Sequence, residues 1–146
     1  MHLFQKYYQN NNTFQELVNS GNLGIITDNK IKNGLLDLEL LYKKMKSSED
    51  HMRFDFEGYV FATFFDAVDI DPFTENYAFI ASGGKAGSRA ELSRAAIEKL
   101  LGDVRYKNGF TLSVYMHTQI NGELEEIRAK SQDLVTRIEA ELAKRN

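Results

Sequence analysis

The most informative part of this sequence runs from Asn12 to Met45 and reads NTFQELVNSGNLGIITDNKIKNGLLDLELLYKKM. Its Thr13–Glu16 segment has the spacing of a capping box, in which a threonine and a glutamate three residues later bond each other's free backbone amides. Gly21 follows where a helix needs a left-handed residue to end, and Thr27 or Asp28 is placed to cap the next helix. The stretch therefore predicts two helices joined by a compact apolar turn that serves the fold.

The second helix of this pair carries a long series of apolar residues at alternating steps of four and three, which is typical of helices packed at a shallow angle. The series breaks at Glu49 but keeps its phase beyond it, so we predict one helix from about residue 29 to residue 68. The alternative is a fresh N-cap at Ser47–Asp50. Asp71 as N-cap and Pro72 as first helical residue would begin the next helix. The series is Ile31, Leu35, Leu38, Tyr42, Met45, Met52, Phe56, Tyr59 and Thr63.

The remaining helices are predicted from their caps. A second capping box at Ser88–Glu91 begins a helix that Gly102 ends, and Asp103 is placed to cap a last helix that runs almost to the C-terminus. A lead-in helix is predicted over residues 2–10, and a short helix follows Pro72. The apolar seam of the last helix is predicted at Phe110, Val114, His117, Ile120, Leu124, Ile127, Ser131, Leu134, Ile138 and Leu142.

Two long helices of similar length, each with one apolar stripe, are typical of an antiparallel pair. We therefore expect an all-α protein: a helical bundle built on two long antiparallel helices, with the shorter helices capping its other sides. A chain of 146 residues is most simply one domain, so residues 1–146 are expected to form a single helical domain.

Composition narrows the classes of partner. The net charge of −3 comes from 18 basic and 21 acidic residues that are interspersed along the chain, and a nucleic-acid partner, which needs clustered Lys and Arg, is not expected. The chain has no cysteine, which excludes disulfides, thiolate metal sites and cysteine nucleophiles. No apolar run approaches the roughly 20 residues of a spanning helix, so membrane contact is expected only through an anchor outside this sequence.

The first stretch also carries a resemblance. The run TFQELVNSGNLGII, followed by a helix containing IKNGLL, resembles an uncharacterised bacterial family of small membrane-anchored proteins with one N-terminal transmembrane helix and a helical C-terminal region. Residues from about 50 to 105 do not share it. The resemblance implies an extracytoplasmic domain whose anchor lies upstream of Met1. It implies no particular activity. The matching residues are Phe14, Leu17, Ser20, Gly21, Asn22, Leu23, Ile26, Ile31 and Leu35, with a weaker match at Leu134, Ile138, Glu139 and Leu142.

The candidate site residues are polar side chains at apolar positions. His117 and Ser131 occupy the seam of the last helix, which predicts either an interior polar or ligand-binding pair or a structural role. The structural role is favoured: a hydrogen-bonded core pair that can fix helix register, or a partly exposed end of the seam. His51 and Asp55 have the spacing of two metal ligands on one helix face, but two ligands do not make a site, and an exposed ion pair is favoured. No catalytic, cofactor-binding or metal-binding residues, and no cofactor, are predicted.

These observations favour a non-enzymatic extracytoplasmic helical domain of a membrane-anchored protein, used for interaction or sensing. A homodimer or a complex with another protein is the expected partnership. The alternative is a small-molecule-binding protein or small enzyme, and an intracellular adaptor remains open if no anchor precedes the chain. The pocket of that alternative is predicted among Phe56, Tyr59, Phe64, Phe65, Tyr77 and His117.

Overall fold

The computed structural model describes Tyr8 and residues 10–144, and that part of the chain is all-α, with no strand. The helix predicted over residues 2–10 falls mainly outside the described residues. The elements are α1 (Asn12–Asn19), a 3₁₀ turn (Asn22–Ile25), α2 (Asn29–Asp55), a π-helical segment (Phe56–Phe61), α3 (Ala62–Ala67), α4 (Asp71–Ala81), α5 (Arg94–Leu101) and α6 (Val104–Ala143).

The chain divides into two compact units. Unit 1 combines the residues up to His51 with those from Met116 onward, and unit 2 spans Met52–Tyr115. Both α2 and α6 contribute residues to each unit, and the expectation of a single domain stays a prediction. The apolar core of unit 1 is formed by Ile31, Met45, Met116, Ile120, Ile127 and Leu134, and that of unit 2 by Met52, Val60, Val68 and Leu100.

The ends of the first two helices follow short-range signals. Helix α1 begins one residue before Thr13, because Gln15 N–H bonds the carbonyl of Asn11 at 2.9 Å and Asn11 is the N-cap. The predicted Thr13 cap is therefore wrong. Gly21 is left-handed as predicted, with φ 73°. Asp28 is the side chain that caps α2: its Oδ1 accepts from the amides of Lys30 at 2.7 Å and Ile31 at 3.2 Å.

The long second helix is confirmed, but its interior differs from the expectation. Helix α2 runs without a break through Ser47–Asp50, and helical structure continues through the π-helical segment and α3 to Ala67. Ser48 is buried at the break in the apolar series. A π turn takes one residue more than an α turn, so the buried positions step by five from Asp55 to Val60. Phe56 and Tyr59 are thereby displaced from the buried line that the sequence predicted.

The starts of α4 and α5 correct two predicted caps. The N-cap of α4 is Ile70, so Asp71 and Pro72 are the first helical residues. Helix α5 begins at Arg94 after Ser93, whose hydroxyl accepts from Ala96 N–H at 3.3 Å. The predicted capping box at Ser88–Glu91 is wrong because Ser88 instead donates to the carboxylate of Glu75 on α4.

Helix α6 begins at its predicted cap, but its buried face differs from the predicted seam. Asp103 accepts from Tyr106 N–H at 3.0 Å, as expected of an N-cap. Phe110, Val114 and His117 are exposed, which corrects the first part of the seam. The predicted series contained two successive steps of three, whereas a heptad alternates four and three. The buried residues keep that alternation at Gly109, Ser113, Met116, Ile120, Glu123 and Ile127, and Leu134 completes the line.

Candidate functional site

The two residues predicted as an interior polar pair do not form one. His117 is exposed, which contradicts an interior position for its side chain. Ser131 is half-buried, and its hydroxyl donates to the Ile127 carbonyl of its own helix at 2.8 Å. The two positions are separated by about 21 Å of α-helix at 1.5 Å per residue. A ligand-binding role for either residue stays a prediction.

Unit 1 instead buries a polar cluster that the sequence analysis missed. The Ser48 hydroxyl on α2 donates to Glu123 Oε1 on α6 at 3.1 Å. Gln119 Nε2 donates to the Ser48 oxygen at 3.1 Å and to Glu123 Oε1 at 3.3 Å. Lys44 Nζ lies 3.6 Å from the same carboxylate oxygen. We call Lys44, Ser48, Gln119 and Glu123 the unit 1 polar cluster.

The polar cluster has the features of a device that fixes register. Glu123 is only 5% exposed, and a buried carboxylate requires bonds in one particular alignment of its neighbours. Its Oε2 is buried without a hydrogen-bond partner in the described part of the chain. The signal available in the sequence was the strict heptad alternation, which puts Glu123 rather than Leu124 on the inner face.

The described residues do not assemble a metal centre. No group of three or more His, Cys, Asp or Glu side chains among them is arranged to hold a metal ion. Of the two residues at ligand spacing, His51 is exposed in unit 1 and Asp55 is buried in unit 2.

The π-helical segment of unit 2 is held by α6. Arg105 Nη2 donates to the carbonyl of Gly58 at 2.8 Å, and its guanidinium lies 5.9 Å from the centre of the Tyr59 ring. A π turn disturbs the regular backbone pairing of a helix, and Arg105 supplies a donor at that point. Gly109 is buried beside the same segment: a Cβ there would lie 2.6 Å from Val60 Cγ2.

Three of the six residues predicted to line an aromatic pocket, Phe56, Phe64 and Phe65, belong to a cluster of packed rings. Phe56 packs edge to face on Phe61, with ring centres 4.9 Å apart, and lies 6.2 Å from Phe110. Tyr77, 76% exposed, and His117, which belongs to unit 1, are not part of this cluster. Its α6 members were not predicted from the sequence, because Phe110 was assigned to the inner seam. The ring-contact cluster is Phe56, Phe61, Phe64, Phe65, Tyr106 and Phe110.

Unit 2 exposes two apolar surfaces, of which the first includes Tyr106 and Phe110 of this cluster. The first, here called the α6 cleft, is an open depression of about 340 Å³. The second, here called the α4 stripe, consists of Phe73, Tyr77 and Ile80, which are 52%, 76% and 77% exposed. Exposed apolar surface of this kind marks interaction sites in soluble proteins. The α6 cleft is lined by Leu101, Tyr106, Lys107, Phe110, Thr111 and Val114.

A smaller cleft of about 270 Å³ lies in unit 1, between the start of α2 and the end of α6. It is mainly apolar, with carboxylates from Asp28 and Glu141 at its edge. The amides of Lys30 and Ile31 bond the Asp28 carboxylate and lower its pKa below the usual 3.8, because hydrogen bonds to the charged form favour ionisation. This carboxylate is committed to capping α2.

Comparisons with known protein families, with curated proteins and with solved structures find no match for this chain. Among the helices of the described residues, none combines the length and apolar character needed to cross a membrane.

Proposed function

We propose that this chain is a non-enzymatic helical domain for interaction or sensing, carried on the extracytoplasmic side of a bacterial membrane by an anchor outside this sequence. The exposed apolar surface of unit 2 is the main observation in favour of an interaction role. Thirteen of the twenty exposed large apolar side chains among the described residues belong to unit 2, which contains fewer than half of the residues. Burial of such a surface is the main source of association free energy.

The proposed architecture is a bundle built on two long antiparallel helices, with shorter helices capping them. Contacts within unit 1 support it. On α2, Asp37 pairs with Lys130 of α6 at 2.7 Å, while Ser48, further along α2, bonds Glu123, which lies earlier on α6. Residue numbers thus rise along one helix as they fall along the other.

The proposed location has support only from the resemblance of the first stretch, carried by residues such as Leu17, Gly21 and Ile26. A fusion of alkaline phosphatase after Lys144 of this chain, within the full-length native gene product, tests it, because that enzyme needs disulfides that form outside the cytoplasm. We expect this fusion to have phosphatase activity. The matched control, a fusion to a fluorescent protein that matures only in the cytoplasm, should not fluoresce. The opposite pair of results would overturn the extracytoplasmic location.

The interaction role has a separate test. A photocrosslinking residue replaces Tyr115 of unit 2, and a matched variant replaces Leu40 of unit 1; these side chains are 65% and 63% exposed. We expect protein adducts in cells from position 115 and few from position 40. Equal labelling would contradict the assignment to unit 2. A rise in melting temperature with one metabolite from a panel would instead favour sensing, because a ligand that binds the native state stabilises it.

A further inference from the structure

We propose that unit 2 binds a second copy of this chain, with the α4 stripe of each copy seated in the α6 cleft of the other. This inference rests on the proposed interaction role of unit 2 and names the partner. The two surfaces belong to one compact unit, and each is exposed in the described structure.

The α4 stripe has the spacing of a helix that binds in a groove. Phe73, Tyr77 and Ile80 occupy positions i, i+4 and i+7, which place them on one face of the helix. Amphipathic helices bind apolar grooves through anchors at this spacing. Helix α4 packs its half-buried residues, Ala78 and Phe79 among them, on a different face. The stripe is therefore available to another molecule.

The α6 cleft has a matching length and character. Its α6 residues run from Tyr106 to Val114, about 12 Å of helix, whereas the stripe covers about 10.5 Å from Phe73 to Ile80. Apolar side chains of α5 and α6, including Leu101 and Phe110, line the cleft. Three anchors on a single helix face can thus lie along the cleft.

Charge favours a second copy over a lipid surface. Lys107 lines the cleft, whereas Asp69 and Asp71 stand at the start of α4 beside the stripe. Neither Lys107 nor Asp71 forms an ion pair within the described part of the chain. The acidic start of α4 opposes binding to anionic lipid but complements a cleft that carries Lys107. The chain itself supplies both halves of this complementarity.

The contact joins different surfaces, which sets its symmetry. A single stripe-in-cleft contact repeated head to tail is heterologous and extends without limit unless a rotation closes it, whereas two such contacts exchanged across a twofold axis form one isologous interface. Two reciprocal contacts about a twofold axis close as a dimer and leave neither surface exposed. The proposal therefore predicts a dimer with two equivalent contacts.

A mixing experiment tests this arrangement. Tyr77→Glu disables the stripe and leaves the cleft intact; Val114→Glu, at a side chain 66% exposed, disables the cleft and leaves the stripe intact. Val135→Glu, at an exposed position of α6 in unit 1, is the matched control. Sedimentation velocity over a wide concentration range should show a dimer for the wild type and the control, and a monomer for each unit 2 variant.

The equimolar mixture of the two unit 2 variants is the decisive sample. In the mixture, the intact stripe of one variant can bind the intact cleft of the other. We therefore expect a heterodimer in the mixture, although each variant alone is monomeric. A mixture that stays monomeric would overturn the stripe-in-cleft contact, and a wild-type chain that is monomeric throughout would overturn self-association. Neither result alters the alkaline phosphatase fusion or adducts to a different protein, so failure here is distinguishable from failure of the proposed function.

Charge reversal gives a second test that introduces no charge into the apolar contact itself. Lys107→Glu and Asp71→Lys should each lower the dimer association constant by roughly fivefold, as expected for exposed charges. The double variant should recover most of the loss. Additive weakening in the double variant would contradict the pairing of these two ends.

Discussion

The buried Gly109 allows a quantitative test of how α6 packs on the π-helical segment. In Gly109→Ala the new methyl would lie 2.6 Å from Val60 Cγ2, 2.9 Å from Tyr59 Cβ and 3.3 Å from the Tyr59 carbonyl carbon. Backbone and Cβ atoms cannot turn away as the end of a long side chain can. Overpacking of this kind typically costs about 1–3 kcal/mol, and the substitution also gains up to about 1 kcal/mol of helix propensity.

Gly122→Ala is the matched control, because Gly122 also lies inside α6 but, apart from its own helical turn of backbone, has no atom within 4 Å of its Cβ position. The propensity gain is common to both variants and cancels in their difference. We therefore expect Gly122→Ala to stabilise by up to about 1 kcal/mol and Gly109→Ala to unfold about 1–3 kcal/mol more easily than this control.

Urea unfolding followed by circular dichroism measures both variants. Each kcal/mol should also lower the melting temperature by roughly 3 °C in a chain of this length. If Gly109→Ala gains as much stability as Gly122→Ala, α6 does not approach the π-helical segment as closely as described.

Three further predictions follow from particular bonds. In the polar cluster, Ser48→Ala and Glu123→Ala should each cost about 1–3 kcal/mol, and the double variant should cost less than their sum by about 0.5–3 kcal/mol; additivity in urea unfolding would contradict the buried bond. Arg105→Met should reduce hydrogen-exchange protection in the π-helical segment, whereas Arg94→Met, which removes only a helix-surface ion pair, should not. Because the pKa of Asp28 is lowered from 3.8, its charge stabilises the fold above that pH, and the stability advantage over Asp28→Asn should disappear as pH falls through the folded pKa; a constant difference would refute this.

Local signals predicted the helix ends where one residue could act without tertiary help. Gly21 and Asp28 have the predicted roles because a left-handed glycine and an Asx cap depend on neighbours within three residues. Thr13 and Ser88 also stand at plausible positions, yet neither caps a helix. Ser88 bonds Glu75, thirteen residues earlier, and that competing contact is invisible to a window of four residues.

The position of the buried face was harder to predict than the helices themselves. The spacing of the larger apolar residues, such as Phe110, predicted that they lie on the inside of α6. The structure buries Gly109 instead, because close approach to Val60 requires the smallest residue there. That rotation moves the aromatic side chain toward the α6 cleft and so creates the surface on which the proposed self-association depends.

The polar cluster of unit 1 also could not be predicted from the sequence alone. Ser48 and Glu123 are 75 residues apart in sequence, and each alone is most simply a surface residue. Burial becomes favourable only when the partner is supplied by the other helix in the correct register. A shift of α6 by one residue would leave Glu123 without Ser48 and a buried charge without compensation. The cluster therefore restricts the pairing of α2 and α6 more strongly than the apolar series, which tolerates exchange of one aliphatic side chain for another.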